Sequence, residues 1–512
     1  METLSKPLHP SNLQELSAEV TRLSYPREQL KTGIVHLGLG AFVRAHMMAI
    51  NEVAIHAQQD LRWGIVGVSL RHPETRDALQ GQDGLYALAL RDTTAQGDAR
   101  QRLQVLGCLR QILVAPESPQ AVVAVIAATD THIVSLTVTE KGYCHYPAQI
   151  TLQWDHPDIV HDLQQPQTPR SAIGFIVRGL HERYRTHSQP LTLLSLDNLP
   201  SNGHVLSTLV LSFASKLDPA LAQWIQSRCT FPNSMVDRIV PKTTEDDRLA
   251  IAKRLGVQDA WPVVAETFCQ WVIEDRFASE RPAWDLGGAR FVESAAAFET
   301  LKLRMVNGTH SAIAYLGALA GWQTVDQAMQ QPALVNFLEA LMREEIQPTL
   351  PSLPGLDLKA YRNSLLARFT NPALAHRTQQ IAMDGSQKIP QRWLNTIKEL
   401  QTKKRAYTKL ALGLAAWIQY LDGVDELGAT YNIQDPLNNL IQETLARVSG
   451  QTEANLSPDE LALQQTQAIF GLKEIFDELG KSTHLIVTVA QQLVNIRAVG
   501  VAQALRLCCV RP

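Results

Sequence analysis

Between Glu299 and His310 the chain reads Glu-Thr-Leu-Lys-Leu-Arg-Met-Val-Asn-Gly-Thr-His, which gathers a carboxylate, two cations, an amide and an imidazole. On an ideal α-helix Glu299 stands roughly 60°, His310 roughly 80° and Asn307 roughly 140° around the axis from Lys302, so one arc carries all four groups. Leu301, Leu303, Met305 and Val306 take much of the remaining surface. The segment is therefore expected to be mostly buried, with its polar arc turned into a cleft where it needs partners or a ligand. Such groups suit metal-free exchange between an alcohol and a carbonyl. A base must take the hydroxyl proton as hydride leaves, and donors must hold the alkoxide that forms in the reverse direction. Lys302 fits the base, because burial and a neighbouring cation lower an ammonium pKa. Asn307 and His310 would bind the reacting oxygen, and Glu299 would relay the proton outward. The competing reading is a lysine reaching solvent beside a satisfied core histidine.

Those side chains need a scaffold, and the preceding sequence predicts a nucleotide-binding one. Residues 1 to 32 read as a polar leading arm with one short helix around Asn12 to Leu23. Gly33-Ile-Val-His-Leu-Gly-Leu-Gly40 then predicts a buried strand running into a glycine turn and a helix. Gly38 would allow the sharp turn, and Gly40 would let backbone approach a pyrophosphate at the helix N-terminus. Val43 occupies the third glycine position of the dinucleotide motif, so the motif alone is imperfect. A second strand, Trp63 to Leu70, ends near Glu74, placed to bind an adenosine ribose and to favour NAD over NADP. Arg71 and Arg76 beside it could instead welcome a phosphate.

Further helix-then-strand units end at Glu140-Lys-Gly-Tyr143 and at Asp197-Asn-Leu-Pro, which makes Asn198 a candidate site amide. Asp237-Arg238, set among apolar residues, reads equally as an ion pair or a ligand contact. From about residue 299 onward the pattern turns helical, over 299–345, 356–369, 374–383, 390–421 and 458–505. The expected fold class is α/β, with a Rossmann-type domain at 1–290 and a mostly helical domain at 291–512 that carries the lysine. Within the second, residues 371–392 are dense in hydrogen-bonding groups, as a polyhydroxylated ligand requires.

Composition narrows the function classes. The 512 residues are 45% hydrophobic and 19% charged, with a net charge of −3, which offers no field for nucleic acid or an anionic membrane. Six cysteines without a Cys-x-x-Cys pair suggest a reduced, cytoplasmic protein and no zinc site. No secretory signal is evident at the N-terminus, and Leu410 to Leu421, read as the most apolar run, is too short to span a bilayer.

The sequence resembles the polyol-specific long-chain dehydrogenases, the mannitol dehydrogenase family, along nearly its whole length. The resemblance rests on Gly38-x-Gly40-x-Phe42-x-Arg44-x-His46, Thr-Val-Thr-Glu-Lys-Gly-Tyr143, Asp197-Asn-Leu-Pro, Met235-Val-Asp-Arg-Ile239, Lys302-x4-Asn307-x2-His310 and Asp384-Gly-Ser-x-Lys388. The family also lacks the third glycine. The resemblance implies NAD as cofactor, no metal and Lys302 as general base, with Asn307 and His310 on the reacting oxygen and Glu299 on the proton path. It implies that Asn198 and Lys388 touch substrate, and that Gly38, Gly40, Phe42, Arg44, Glu74 and Asp237 lie on the cofactor side. It also implies a monomer acting on a small sugar acid or polyol.

Within the family the chain looks like the fructuronate reductase (D-mannonate oxidoreductase) branch, through Lys302-Leu-Arg304-Met and His376-Arg377 to Arg392, with Gln380 where mannitol-type members tend to carry arginine. The expected reaction is then NAD-dependent interconversion of D-fructuronate and D-mannonate. Mannitol 2-dehydrogenase, tagaturonate reductase and arabinitol dehydrogenase are the alternatives. A hexuronate brings a carboxylate, and Arg377, Arg392 or Arg304 could hold it bidentately.

Overall fold

The computed structural model describes residues 6–93, 99–146, 149–353, 355–372, 376–451 and 456–509. It divides into two compact units, Met1–Ala296 and Ala297–Pro512.

At the centre of the first unit is a sheet of five parallel strands: β1 (Ile34–Leu37), β2 (Ile65–Ser69), β3 (Leu109–Val114), β4 (Ile133–Leu136) and β5 (Thr192–Ser195). Their order is β3-β2-β1-β4-β5, so the winding reverses between β1 and β4, the point at which open α/β sheets bind ligands. The alternation of strand side chains fixes both faces. Val35 and Leu37 pack with Val122, Ile173 and Leu206 of the helices on one side, while Ile34 packs with Ile50 and Ile55 of helix Met47–Gln58 on the other. Being covered on both faces explains why these strands are continuous apolar runs.

A side sheet joins Tyr86–Thr93 antiparallel to Ala99–Leu106, with Val20–Thr21 and Val263–Glu266 at its edges. This corrects the leading arm: Pro10–Glu15 is a 3-10 helix, and β-branched Val20 and Thr21 pair with Leu103 and Gln104. The helix expected through Leu23 is absent. Three further strands, β6 (Ser234–Asp237), β7 (Gln270–Glu274) and β8 (Ala289–Val292), form a third sheet.

The second unit is helical around one large core that includes Leu301, Met305, Tyr315, Trp393, Trp417 and Leu485. Residues 374 and 375 of the helix expected at 374–383 lie outside the described residues, and the part described as helix is Thr378–Ala382. Helix Asn438–Gln451 was not foreseen. Leu410 to Leu421 belongs to the buried helix Thr408–Tyr420 and its cap. Among the described residues one helix, Thr483–Cys509, is long and apolar enough to cross a membrane, yet Leu485, Val489, Leu493 and Ile496 on it are core residues. It is broken at Gly500 (φ 75°), where Glu426 accepts the Val501 N–H at 2.6 Å. Three segments, Lys302–Asn307, Leu341–Ile346 and Pro390–Leu394, are wound as π-helix.

Candidate active site

In the first unit, a cleft of about 330 Å³ opens at the carboxyl ends of β1, β2 and β4, lined among others by Gly38, Gly40, Ser69, Arg71, Glu74 and Thr137. Gly38 has φ +92°, and a Cβ there would stand 2.1 Å from the Thr137 carbonyl oxygen, so only glycine fits. At Gly40 the nearest atom to such a Cβ is the Gly38 oxygen at 3.9 Å. That open space leaves backbone bare to a ligand, which suits a pyrophosphate. His36, fully buried on β1, bonds Ser135 (2.9 Å) and Thr137 (3.0 Å) and so ties the two strands that frame the cleft. Burial drives its pKa down to about 3, which keeps the ring neutral.

Glu74 is exposed on the cleft wall at the start of helix Glu74–Gln80. The two arginines that could have attracted a phosphate both face carboxylates. Arg76 makes paired bonds to Glu117 (2.7 and 3.0 Å), and Arg71 reaches Asp158 (2.9 Å). Phe42 is half-buried and stacks on His46 at 5.0 Å. Arg44 requires a correction. It is 3% exposed, and its guanidinium bonds the Gly40 and Trp261 carbonyls (3.3 and 2.6 Å), so it shapes the turn from inside instead of offering its charge to a cofactor. Asp237 is buried at the end of β6, and Arg238 beside it donates to the carbonyls of Ala45 and Glu266.

Asn198 is exposed next to a residue that sequence reasoning quoted in a motif but gave no role. The buried Asp197 carboxylate accepts the Val138 and Thr139 N–H groups (3.1 and 2.8 Å) and the Tyr143 hydroxyl (2.8 Å). Two of the quoted motifs thus interlock, holding Thr139 at φ +62° beside the cleft wall.

In the second unit, the stretch from Lys302 to Asn307 departs from the α-helix assumed for it. The Gly308 N–H donates to the Leu303 carbonyl, five residues back. An i→i+5 turn narrows the angle between Lys302 and Asn307, which an α-helix would set at roughly 140°. His310 stacks on Phe369 (5.2 Å) and meets His376 edge-on (5.2 Å). Its Nε2 is shut off from solvent with no partner among the described residues. Burial, followed by the charges of His376, Arg392, Arg368 and Lys388, holds its pKa well below the usual histidine value. The histidine is therefore neutral in a cationic setting, with a vacant hydrogen-bonding nitrogen.

Arg392 donates to the Asn307 carbonyl (3.2 Å) and to Ser311 Oγ (2.8 Å), and has no ion pair among the described residues. Lys388 donates to the carbonyls of Ile381 (3.3 Å) and Met383 (2.5 Å). Arg377 is exposed. Arg304 already has a counter-charge: it pairs with Glu399 (2.6 Å) and bonds the Thr349 carbonyl (2.6 Å), in contrast to Arg392. Glu299 is half-buried three residues before Lys302. His376 is the cluster member that sequence reasoning left without a role. Its Nδ1 is buried without a hydrogen-bond partner among the described residues, and burial lowers its pKa, with Lys388 adding to the effect.

The mannitol dehydrogenase Rossmann domain matches residues 32–286 and the mannitol dehydrogenase C-terminal domain residues 295–497, and the chain belongs to the mannitol dehydrogenase family. Among its relatives is D-mannonate oxidoreductase of Escherichia coli, 41% identical over 92% of this chain and 95% of that protein. Mannitol dehydrogenase DSF1 of Saccharomyces cerevisiae is 40% identical over 85% of this chain and 87% of that one. Mannitol 2-dehydrogenase of Pseudomonas fluorescens, solved with NAD and D-mannitol, superposes with a TM-score of 0.86 at 34% identity, covering 99% of this chain and 100% of that one.

Proposed function

We propose that this protein is a cytoplasmic, monomeric, NAD-dependent oxidoreductase of sugar-acid CH–OH groups, interconverting D-fructuronate and D-mannonate. One observation carries the choice of a sugar acid: Arg392, enclosed beside neutral His310, has no carboxylate partner among the described residues. A cation enclosed without a counter-charge is costly, and a substrate carboxylate would offset that cost.

Gly38 and Gly40 would hold the cofactor pyrophosphate and Glu74 the adenosine ribose, and Asp158 and Glu117, by engaging Arg71 and Arg76, make the cleft less hospitable to a 2'-phosphate. NAD+ bound there supplies the hydride acceptor. Lys302 takes the proton from the substrate hydroxyl, Asn307 and the vacant Nε2 of His310 bind the same oxygen, and Glu299 passes the proton on. In the reverse direction protonated Lys302 returns the proton to the alkoxide. Because His310 is neutral, it orients the oxygen without competing for the proton. A polyol 2-dehydrogenase is the second reading, supported by the 40% identity with the yeast mannitol dehydrogenase.

The assignment of the base is tested by Lys302→Ala. Turnover should fall by about 10³-fold or more while NADH still binds, as read by fluorescence titration, since the base serves the chemical step alone. Retained turnover would refute the assigned base.

A further inference from the structure

We propose that Trp393 is a positioning residue for Lys302: its indole N–H holds the catalytic turn in its wide register although the indole touches no substrate. The inference rests on the reading of Lys302 as base. Two π-wound segments are joined here, Lys302–Asn307 and Pro390–Leu394. Consecutive residues of the second grip consecutive carbonyls at the end of the first. Arg392 Nη1 donates to the Asn307 oxygen (3.2 Å), and Trp393 Nε1 to the Gly308 oxygen (3.0 Å).

Nothing in the local sequence of Lys302–Asn307 demands a π-turn, and such turns are rare, so the surroundings must impose it. Trp393 is well built for that task. It is 1% exposed, its ring meets Tyr315 edge-on at 5.9 Å, and a Cβ on Gly413 would stand 3.1 Å from it, so the indole has little freedom to slide. A Cβ on Gly308 would stand 3.6 Å from the same ring, in ordinary van der Waals contact, so the indole lies directly against this turn. A buried N–H without an acceptor is costly, hence the indole and the Gly308 carbonyl fix each other. Releasing the grip lets the turn tighten, and each residue of register lost rotates Asn307 by about 100° away from Lys302.

Trp393→Phe keeps an aromatic ring, removes the donor and leaves a small void in place of the second ring, whose cost the melting temperature reads separately. With D-mannonate and NAD+, kcat for oxidation should fall at least about fivefold with KM for NAD+ unchanged, as expected when alignment for the chemical step is lost. The pH midpoint of oxidation should move by about half a unit or more, because the contacts that set the lysine's acidity change. The same shift should appear in an NMR titration of ¹³C-dimethylated lysines, with the Lys302 signal assigned by its loss in Lys302→Ala. A lowered melting temperature with kcat and the Lys302 midpoint unchanged in Trp393→Phe would overturn the proposal and leave Trp393 as core filling. Should the wild type oxidise no sugar acid or polyol, the functional reading fails, while the NMR titration still decides the positioning.

Discussion

Replacing Arg392 separates recognition of a sugar acid from recognition of a neutral sugar. Arg392 already spends one nitrogen on the Asn307 carbonyl and Ser311 Oγ, at 3.2 and 2.8 Å, which leaves the rest of its planar fork for a carboxylate. A hydrogen bond to a charged group contributes about 1.5–3 kcal/mol, so Arg392→Ala should cost the carboxylate substrate roughly 10- to 150-fold in kcat/KM from that contact alone. The same substitution loosens the hold on Asn307 for every substrate, a shared loss of about 1 kcal/mol or so. The diagnostic is therefore the ratio of kcat/KM for D-fructuronate to that for D-fructose, measured by NADH oxidation. That ratio should drop about tenfold or more in Arg392→Ala and by less in Arg392→Lys, which keeps the charge and loses the fork. Arg377 is exposed, and its contact with a carboxylate is weakened by water, so Arg377→Ala should change the ratio less than about fivefold. Equal losses on both substrates in Arg392→Ala would refute the argument, and a larger effect at Arg377 would reassign the contact.

Other consequences follow from the same geometry. Alcohol oxidation should rise with pH as Lys302 loses its proton and ketone reduction should fall over the same range; flat profiles in both directions would mean another base or a slow step outside chemistry. Neither limb should report an ordinary histidine near its usual value, because His310 and His376 both have lowered pKa values and stay neutral as pH falls toward that value; an acid limb that His310→Gln abolishes at pH 6.5 would contradict this. Glu74→Ser should raise the ratio of NADP to NAD activity about tenfold, since an acid that repels the 2'-phosphate is gone; an unchanged ratio would place cofactor choice elsewhere. Glu345, buried and accepting the Lys409 and Leu410 N–H groups, has its pKa raised by burial from 4.5 to about 7. Its folded pKa exceeds its unfolded one, so its contribution to stability is fully present below about pH 4.5 and is lost as pH rises to about 7, a change of roughly 3 kcal/mol. Urea unfolding of wild type and Glu345→Gln should therefore diverge between pH 5 and 8, and parallel curves would refute the shift.

Much of the scaffold was legible because it is written in local patterns. The run from Gly33 to Gly40 reads as a strand entering a glycine turn, and the structure gives Gly38 the positive φ that only such a turn needs. What escaped was set by distant partners. The π-turn at Lys302–Asn307 has no local signature, since the donors that meet its end, Arg392 and Trp393, lie 85 residues away in sequence. Arg304 reads as available for a ligand, and only the fold sets Glu399, 95 residues on, against it. The family resemblance puts Arg44 on the cofactor side, and only the fold reveals that the Trp261 carbonyl, 217 residues downstream, holds it inside. Asp197 sat in plain view within a motif, and its two bonds to backbone N–H groups near residue 138 could not be inferred from spacing. The short strand Val20–Thr21 has no strand signature of its own, because its partner, Leu103–Gln104, lies far along the chain.

The most direct test of the proposed function is NADH oxidation by the purified protein with D-fructuronate, D-tagaturonate and D-fructose in parallel, each with EDTA present. The account expects D-fructuronate to be reduced with the highest kcat/KM, undiminished by the chelator. A preference for D-fructose would contradict it and move the protein to the polyol dehydrogenases, while loss of activity in EDTA would contradict the lysine mechanism.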